Sequence, residues 1–266
     1  MSSSTNTIEA KRQAFLDHTK TSRDLSEIRD RFLSMKTHLE AVFRDRMPQS
    51  PLTVLDVGCG MGIQSILWAE DGHHVVALDI DEDLLATGRE MSTSRGLDIE
   101  WRQGSADKIP LPDQTIDVCL CVELLEHIPA WEETLDQIER VLRPGGLLLL
   151  TTTNVICPKQ QEFKLPFYTW WPGFAKRRAE HLARTTRPEL ANFTDFPAVN
   201  WFSYYSLRKA LNRRGFDVRD SLDAMFLEDK SLPVVAAVSL ARRVQAVRAL
   251  LYLYYQGTII YAIKRK

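Results

Sequence analysis

The string LDVGCGMG at residues 55–62 restricts the fold of this chain more than any other feature. The apolar, β-branched run at 53–57 ends directly at its first glycine, which predicts a buried parallel strand. Helical spacing of apolar residues follows up to Gly72, then a second strand over 75–79 and a second helix over 82–94. These elements form a βαβ unit, which builds parallel sheets whose ligands bind at the carboxyl ends of the strands.

The spacing of the glycines excludes two common ligands. Gly58, Gly60 and Gly62 do not fit the dinucleotide fingerprint GxGxxG, because Ile63 stands where its third glycine belongs. A Walker phosphate loop needs a lysine that this loop lacks. Binding of NAD and cradling of a nucleotide phosphate are therefore both disfavoured.

Four motifs in order resemble those of class I S-adenosylmethionine-dependent methyltransferases. The first is LDVGCGMG with Asp79 ending the next strand, and it is followed by GSADKIPLPD (104–113), a strand DVCLCVELLEHI (117–128) and VLRPGGLLLLTT (141–152). The resemblance covers residues 52–153. It implies an α/β, Rossmann-like methyltransferase fold with a doubly wound, seven-stranded, mostly parallel sheet, and S-adenosyl-L-methionine as the cofactor.

The same resemblance implies a set of cofactor contacts. The backbone from Gly58 to Gly60 would touch the methionine moiety, and Asp56 would orient the loop and the amino group. Asp79 would bind both ribose hydroxyls, since one carboxylate can accept two hydrogen bonds from a diol. Asp107 would face the adenine amino group. The full predicted set is Asp56, Gly58, Gly60, Asp79, Ile80, Ala106, Asp107 and Cys121.

His127 is the candidate catalytic residue. Methyl transfer is an in-line displacement that needs close alignment, and a base is required only when the acceptor is a weakly acidic hydroxyl. The string Glu123-Leu-Leu-Glu126-His127 is similar to a segment of the ubiquinone-biosynthesis O-methyltransferases. Two alternatives stay open: a structural histidine beside a solvated Glu126, or a divalent ion held by Glu123, Glu126 and His127. No metal ion is part of the predicted site.

The expected acceptor is a hydroxyl on a small or amphiphilic metabolite, such as a quinone precursor, a lipid or a glycolipid sugar. No nucleic-acid partner is expected, because the Asn-Pro-Pro-Tyr type of tetrad is absent after the fourth strand, where residues 122–125 read VELL. N- or C-methylation of a small molecule remains open. So does a module that binds S-adenosylmethionine without transferring its methyl group.

Two segments are expected to cover the site. Residues 1–50 are interpreted as an N-terminal helical lid before the core at 51–153, with Phe15, Phe32 and Met35 lining it or packing in the core. Residues 154–200 are interpreted as an insertion over the acceptor pocket. Its aromatic and basic residues have two interpretations: they bind a ring or an isoprenoid that carries an acidic group, or they form a small core beside a solvated helix. They are Tyr168, Trp170, Trp171, Phe174 and Trp201, with Lys176, Arg177 and Arg178.

The sheet is predicted to end within 201–240. Ser203 is a predicted helix N-cap, Gly215 a C-cap and Phe216 a strand start, and the last antiparallel strand is expected over 234–240. Residues 241–266 then form an amphipathic tail. Its apolar run at 248–266 is too short to cross a bilayer and suits either the lipid interface or packing on the domain or on a second copy.

Charge and cysteine content set the expected surroundings. Residues 51–150 hold 6 Lys/Arg and 19 Asp/Glu, whereas residues 151–266 hold 19 and 9, so the two parts suit different partners or simply differ in surface charge. The four cysteines show no zinc spacing and are interpreted as reduced thiols. The N-terminus lacks the pattern of a secretory signal. A cytoplasmic protein, peripheral to the inner face of a membrane, is the expectation.

Overall fold

The computed structural model describes residues 25–47, 51–194, 196–228 and 230–266. Seven strands form one sheet in the order β3-β2-β1-β4-β5-β7-β6, in which only β7 runs antiparallel to its neighbours. The predicted mostly parallel, seven-stranded sheet is confirmed. The strands are β1 (Thr53–Val57), β2 (His74–Asp79), β3 (Ile99–Gln103), β4 (Ile116–Val122), β5 (Leu142–Thr153), β6 (Phe216–Asp220) and β7 (Gly257–Lys264).

Helices cover both faces of the sheet, which makes the fold doubly wound. They are α1 (Leu25–Val42), α2 (Ile63–Glu70), α3 (Glu82–Thr93), α4 (Trp131–Val141), α5 (Gly173–Thr185), α6 (Tyr204–Arg213), α7 (Ser221–Ala224), α8 (Leu232–Arg243) and α9 (Gln245–Leu251). One face packs against α1, α2 and α3, and the other against α4, α6, α8 and α9. Among the described residues, no helix is long and apolar enough to span a membrane.

The central strands are apolar on both sides because helices cover both of their faces. In β5, Leu147 and Leu149 join one core cluster, whereas Leu148 and Leu150 join the other. All four side chains are fully buried. Successive side chains of a strand point to opposite faces, so a strand covered on both sides appears in the sequence as a continuous apolar run.

The prediction of the last strand over 234–240 is wrong. Those residues lie in α8, and the antiparallel strand is β7, which pairs with both β5 and β6. Of the alternatives for residues 248–266, the lipid interface is wrong for β7 and packing on the domain holds there, because Ile260, Tyr261 and Ala262 are buried inside the sheet. Both segments are short and rich in β-branched residues, so local pattern alone did not separate helix from strand.

Arg248 of α9, the first residue of the apolar run at 248–266, is buried. Its guanidinium lies 2.8 Å from Asp220 Oδ1 and 2.7 Å from Asp223 Oδ1. The hydroxyl of Tyr252 donates to Asp220 Oδ2 at 2.6 Å. These charges join α9 to the end of β6 and to α7, so the last helix is part of the folded domain.

The predicted N-terminal amphipathic helix is α1. Met35 and Leu39 are buried against the sheet and Phe32 packs at the edge of the same cluster, whereas Phe15 lies outside the described residues. Arg31 pairs with Glu123, 2.7 Å away at the carboxyl end of β4. This contact places part of α1 at the edge of the predicted site, and its role as a lid remains a prediction.

The segment at 154–200 builds a small core of its own. Tyr168 is fully buried, stacks on Phe163 with ring centroids 4.3 Å apart, and meets the edge of Trp201 at 5.3 Å. Lys176 lies 5.0 Å from the centre of the Trp201 ring, and burial lowers its pKa. Trp170 and the neighbouring α5 residue Phe174 are exposed. The aromatic residues therefore divide between internal packing and the surface.

Candidate functional site

A loop with a left-handed backbone connects β1 to α2. Gly58, Gly60 and Gly62 have φ angles of 69°, 54° and 69°, a region that side chains with a Cβ rarely adopt. The amides of Gly58 and Cys59 both donate to the Leu78 carbonyl, at 2.8 and 3.1 Å. The glycine loop is therefore fixed to the carboxyl end of β2, at the edge where this fold binds ligands.

Asp79 brings the loops after three strands together. Its Oδ2 accepts a hydrogen bond from the Gly60 amide at 2.8 Å, and its Oδ1 accepts one from the Asp81 amide at 2.9 Å. Its carbonyl accepts from Gly104, just after β3, at 2.9 Å. Each carboxylate oxygen retains a further lone pair, which fits the predicted bonds to a ribose diol. Beside it, Ile80 is 58% exposed.

The three glycines are needed for three different reasons. A Cβ built on Gly58 would lie 2.5 Å from the Leu124 side chain, and one on Gly62 would overlap the ring of Trp101. A Cβ on Gly60 would meet no described atom within 4 Å. Only Gly60 faces open space, so it is the glycine whose side chain would enter the volume of a ligand.

Asp56 lies beneath the loop. It is almost fully buried in β1 and accepts a hydrogen bond from the Ser65 hydroxyl of α2 at 2.6 Å. Burial raises its pKa to about 6, the Ser65 hydrogen bond opposes this, and the charge of Asp79 adds to it. This geometry suits the predicted role of orienting the loop.

The remaining predicted cofactor residues differ in exposure. Ala106 is buried at the start of a short helical turn, and Asp107 is half-buried beside it, after β3. Cys121 is fully buried in the core and burial raises the pKa of its thiol. The Cys121 side chain reaches no open surface, so the prediction that it contacts the cofactor is not supported by its position.

The side chains of Glu123, Glu126 and His127, the alternative metal ligands, point in different directions. β4 ends at Val122, earlier than predicted, and Glu123 follows with a left-handed φ of 52° and its carboxylate on Arg31. Glu126 turns inward and His127 turns toward the 154–200 segment. Within the part of the chain that the structure describes, no three His, Cys, Asp or Glu residues are placed to hold a metal ion.

Glu126 is a buried carboxyl group, so the alternative that it is solvated is wrong. Its Oε2 accepts a hydrogen bond from the Thr152 hydroxyl of β5 at 2.9 Å. Burial, with a smaller contribution from the charge of Glu162, raises its pKa to about 8. Its carbonyl also accepts from the amides of Val199 and Asn200, so Glu126 joins β5 and the end of the insertion.

His127 faces the insertion through both ring nitrogens. Nδ1 lies 2.6 Å from the carbonyl oxygen of Phe196, and Nε2 lies 3.8 Å from Glu162 Oε2. Burial lowers the pKa of His127, which favours the neutral ring. Since a carbonyl only accepts hydrogen bonds, Nδ1 carries the proton of the neutral ring and Nε2 is left as the basic nitrogen.

Several residues around this histidine were not predicted from the sequence. Leu124 covers Gly58, Thr152 holds Glu126, and the buried hydroxyl of Thr258 has no hydrogen-bond partner among the described residues. Thr152 and Thr258 face each other across β5 and β7. The polar run at 151–153, at the carboxyl end of an apolar strand, was the signal that would have indicated a functional edge.

Comparison with known proteins agrees with this geometry. A protein family described as "Methyltransferase domain" matches residues 55–150, which contain the glycine loop, Asp79 and the end of β4. Together with the fold, the match defines the class: residues 55–150 form a class I S-adenosylmethionine-dependent methyltransferase domain, and S-adenosylmethionine is the cofactor of that class.

Relatives share this core, but not the whole chain. The ubiquinone biosynthesis O-methyltransferase of Xylella fastidiosa (strain 9a5c) is 36% identical over 110 residues, which are 41% of this chain and 45% of that enzyme. The chain thus spans about half the length of the curated relatives it matches. The structure of the PH0226 protein from Pyrococcus horikoshii OT3 is similar with a TM-score of 0.55 and 18% identity, over 92% of this chain and 94% of that one.

A second structural neighbour shows that the fold alone leaves the reaction open. The [4+2]-cyclase SpnF has a TM-score of 0.51 and 18% identity, over 85% of this chain and 79% of that one. Fold similarity at this identity indicates architecture only. The reaction has to be argued from the residues at the site.

Proposed function

We propose that this protein transfers the methyl group of S-adenosylmethionine to a hydroxyl group of a small or amphiphilic metabolite, with His127 as the base. The observation that carries the proposal is the side-chain-free surface over Gly60 beside the Asp79 carboxylate. When bound, the cofactor supplies a methyl group that its sulfonium has already activated. The residues of this chain have to hold donor and acceptor in line and accept the proton of the acceptor.

The cofactor is held by the loops after β1, β2 and β3. Gly60 leaves room for close approach, Asp79 offers carboxylate oxygens to the ribose, and Ile80 offers an apolar surface to the base. Asp107 would recognise the adenine amino group through its acceptor oxygens. The acidic character of this part of the chain suits a cofactor that carries a sulfonium and an ammonium group.

His127 is suited to receive the acceptor proton. Its Nδ1 is held by the Phe196 carbonyl, which fixes the ring and leaves Nε2 basic. Glu162, 3.8 Å from Nε2, would stabilise the imidazolium once the proton has moved. Because burial lowers the pKa of His127 below its usual 6.5, the ring is ready to accept a proton at neutral pH.

Features of the 154–200 segment support an amphiphilic acceptor. Trp170 and Phe174 are exposed there, and Arg177 and Arg178 lie one turn further along α5. Exposed rings suit an isoprenoid or aromatic group, and arginines suit a carboxylate or phosphate. A quinone precursor, a lipid or a glycolipid sugar combines these groups. A cytoplasmic protein that touches the inner face of a membrane would reach such an acceptor.

One assay distinguishes methyl transfer from two alternatives. These are binding of the cofactor without turnover and a different reaction on the same fold. The full chain is incubated with methyl-labelled S-adenosylmethionine and with lipid or polar metabolite extracts, and labelled products are separated. We expect label in an extractable amphiphile, released by reagents that cleave methyl ethers or esters. Saturable cofactor binding by calorimetry with no labelled product from any extract would contradict the proposal.

His127→Ala tests the base. We expect the turnover number at saturating acceptor to fall on the order of a hundredfold, while affinity for S-adenosylmethionine stays near that of the wild type. The wild-type rate should also fall as pH drops through the lowered pKa of His127, since the neutral ring is the active form. His181→Ala, on the exposed face of α5, is the matched control and should leave the rate unchanged. Wild-type turnover in His127→Ala would remove His127 from the mechanism.

A further inference from the structure

Helices α8 and α9 expose apolar faces that no described part of the chain covers. On α8, Leu232, Ala236 and Leu240 recur every four residues on the side opposite the buried Val238. Leu232 is 84% exposed and Leu240 is 49% exposed. On the adjoining α9, the outward residues are Ala246 and Leu250, followed by the exposed Leu253 and Tyr254. We define these residues as the hairpin surface.

The hairpin surface lies in a part of the chain that carries no acidic residue. Residues 230–266 hold seven Lys/Arg and no Asp or Glu. Arg248, Lys264 and Arg265 are paired with carboxylates elsewhere in the domain. The others at the helices, Lys230, Arg242 and Arg243, are exposed and have no carboxylate partner among the described residues.

A basic groove lies next to these helices. The hydroxyl of Tyr205, in α6, donates to the Gln245 carbonyl at the start of α9 at 3.1 Å, so α6 and α9 are neighbours. An open concavity of about 400 Å³ beside this contact is lined by Tyr205, Arg208, Lys209, Asn212 and Arg213. It contains three cationic side chains and no carboxylate among its described lining residues. This combination suits a phosphate-bearing headgroup.

We propose that the hairpin surface docks on an anionic lipid bilayer, with the α6 groove receiving lipid headgroups. Exposed Leu and Tyr side chains would enter the interface while Arg and Lys side chains meet the phosphates. A second copy of this chain fits less well, because a two-fold interface on this face would bring like charges together. The membrane-facing element is thus α8 and α9 and not the buried strand β7.

This surface adjoins the start of the 154–200 segment, which carries the proposed acceptor site. The Asn154 amide donates to the carbonyls of Tyr252 and Tyr255, at 2.8 and 2.6 Å, and Gln161 donates to Gln256 at 3.0 Å. The chain that follows α9 is therefore bound to the start of the 154–200 segment. If the proposed function holds, an amphiphilic acceptor would pass from the bilayer directly to that segment.

Vesicle sedimentation tests the surface without using the reaction. The full chain is mixed with phosphatidylcholine vesicles, with or without about a third of phosphatidylglycerol, and the bound fraction is measured against lipid concentration. We expect binding only to the anionic vesicles, weakened by salt as surface charges are screened. Leu240→Glu should weaken it at least tenfold, and Arg243→Gln or Lys209→Gln about fivefold each.

The matched control is Leu33→Glu, which places the same substitution on α1 at a side chain exposed to a similar extent, 47%. It should bind vesicles like the wild type, and all variants should keep wild-type affinity for S-adenosylmethionine by calorimetry. The proposal is overturned if the wild type ignores anionic vesicles or if Leu240→Glu binds as well as the wild type. It is also overturned if light scattering shows a dimer that Leu240→Glu converts to a monomer, since a second copy would then occupy the surface.

Discussion

The three glycines of the loop after β1 differ in what surrounds them. All three loop glycines share a left-handed backbone, yet only a Cβ at Gly60 would project into open space. At Gly58 the obstacle is Leu124 and at Gly62 it is Trp101. Substitutions at the three positions should therefore separate loss of ligand binding from loss of stability.

Gly60→Val should abolish detectable binding of S-adenosylmethionine, because its side chain would occupy the cofactor volume beside Asp79. Calorimetric titration with the cofactor or with its demethylated product measures this. Gly96→Val is the matched control, since Gly96 has a similar φ of 68° and equally open surroundings, away from the site. Both variants carry similar backbone strain of about 1–2 kcal/mol, so only the first should lose the ligand. Wild-type affinity in Gly60→Val would displace the site from this loop.

Glu126 should make stability depend on pH in the direction opposite to most carboxylates. Its pKa is raised to about 8 in the folded protein, so the folded state binds its proton more tightly than the unfolded state does. The stabilisation that this proton gives to the folded state is complete below about pH 4.5, the pKa of Glu126 in the unfolded chain. It is lost as pH rises to about 8. We expect the free energy of unfolding to fall by on the order of 5 kcal/mol across that window.

Glu126→Gln should remove this pH dependence while keeping a hydrogen-bond acceptor for Thr152. The free energy of unfolding in urea, measured between pH 5 and 8.5, should fall more steeply with pH for the wild type than for Glu126→Gln. The variant should therefore become more stable relative to the wild type as pH rises. Glu228→Gln, at an exposed carboxylate, serves as the control and should follow the wild type at every pH. A constant difference between wild type and Glu126→Gln would show that Glu126 is ionised throughout.

At the scale of elements, one aromatic ring sets the spacing between β3 and two helices. Trp101 of β3 lies over Gly62, which precedes α2, and over Gly88 in α3, where a Cβ would overlap the ring in both cases. A Cβ on Gly88 would also come within 2.8 Å of the Met61 carbonyl. These two glycines allow the helices to approach the sheet closely.

Gly88→Ala should therefore destabilise the protein by about 1–3 kcal/mol, despite the better helix propensity of alanine. Unfolding in urea measures the cost. In a Trp101→Leu background the same substitution should cost less, because the overlap with the ring is removed and only the close contact with the Met61 carbonyl remains. Equal costs in the two backgrounds would mean that the ring does not limit the approach of α3.

At the scale of the whole molecule, a buried ion-pair network joins the C-terminal helices to the sheet. Arg248→Gln would leave Asp220, which is fully buried, without its guanidinium partner. Removing one partner of a buried pair costs about 3–5 kcal/mol, because the remaining charge is uncompensated. Urea unfolding should show this loss, and an added Asp220→Asn substitution should recover part of it.

Arg243→Gln is the control for this network. Arg243 is exposed on α8 and has no carboxylate partner among the described residues, so its loss should change stability by less than about 0.5 kcal/mol. A similar loss of stability in both variants would indicate that the effect comes from net charge rather than from the buried pair.

The sequence by itself determined the cofactor half of the protein. The βαβ pattern, the glycine spacing and Asp79 follow one another within 25 residues, so these local signals, with the resemblance to class I methyltransferases, were enough to predict the fold of this part and its class of cofactor. The N-cap at Ser203 and the strand after Gly215 were also predicted from local signals in the sequence, and the structure has both. Signals of this kind act between near neighbours in the chain.

Only the tertiary structure decided which C-terminal segment completes the sheet and which residues surround His127. Segments 234–240 and 257–264 have similar apolar, β-branched patterns. The second becomes strand β7 because it pairs with β5 on one side and with β6 on the other. Likewise, Glu126 meets Thr152 and His127 meets Phe196 across 26 and 69 residues of chain. Burial in that environment raises the pKa of Glu126 and lowers the pKa of His127. This burial depends on contacts between distant parts of the chain, which no local sequence pattern encodes.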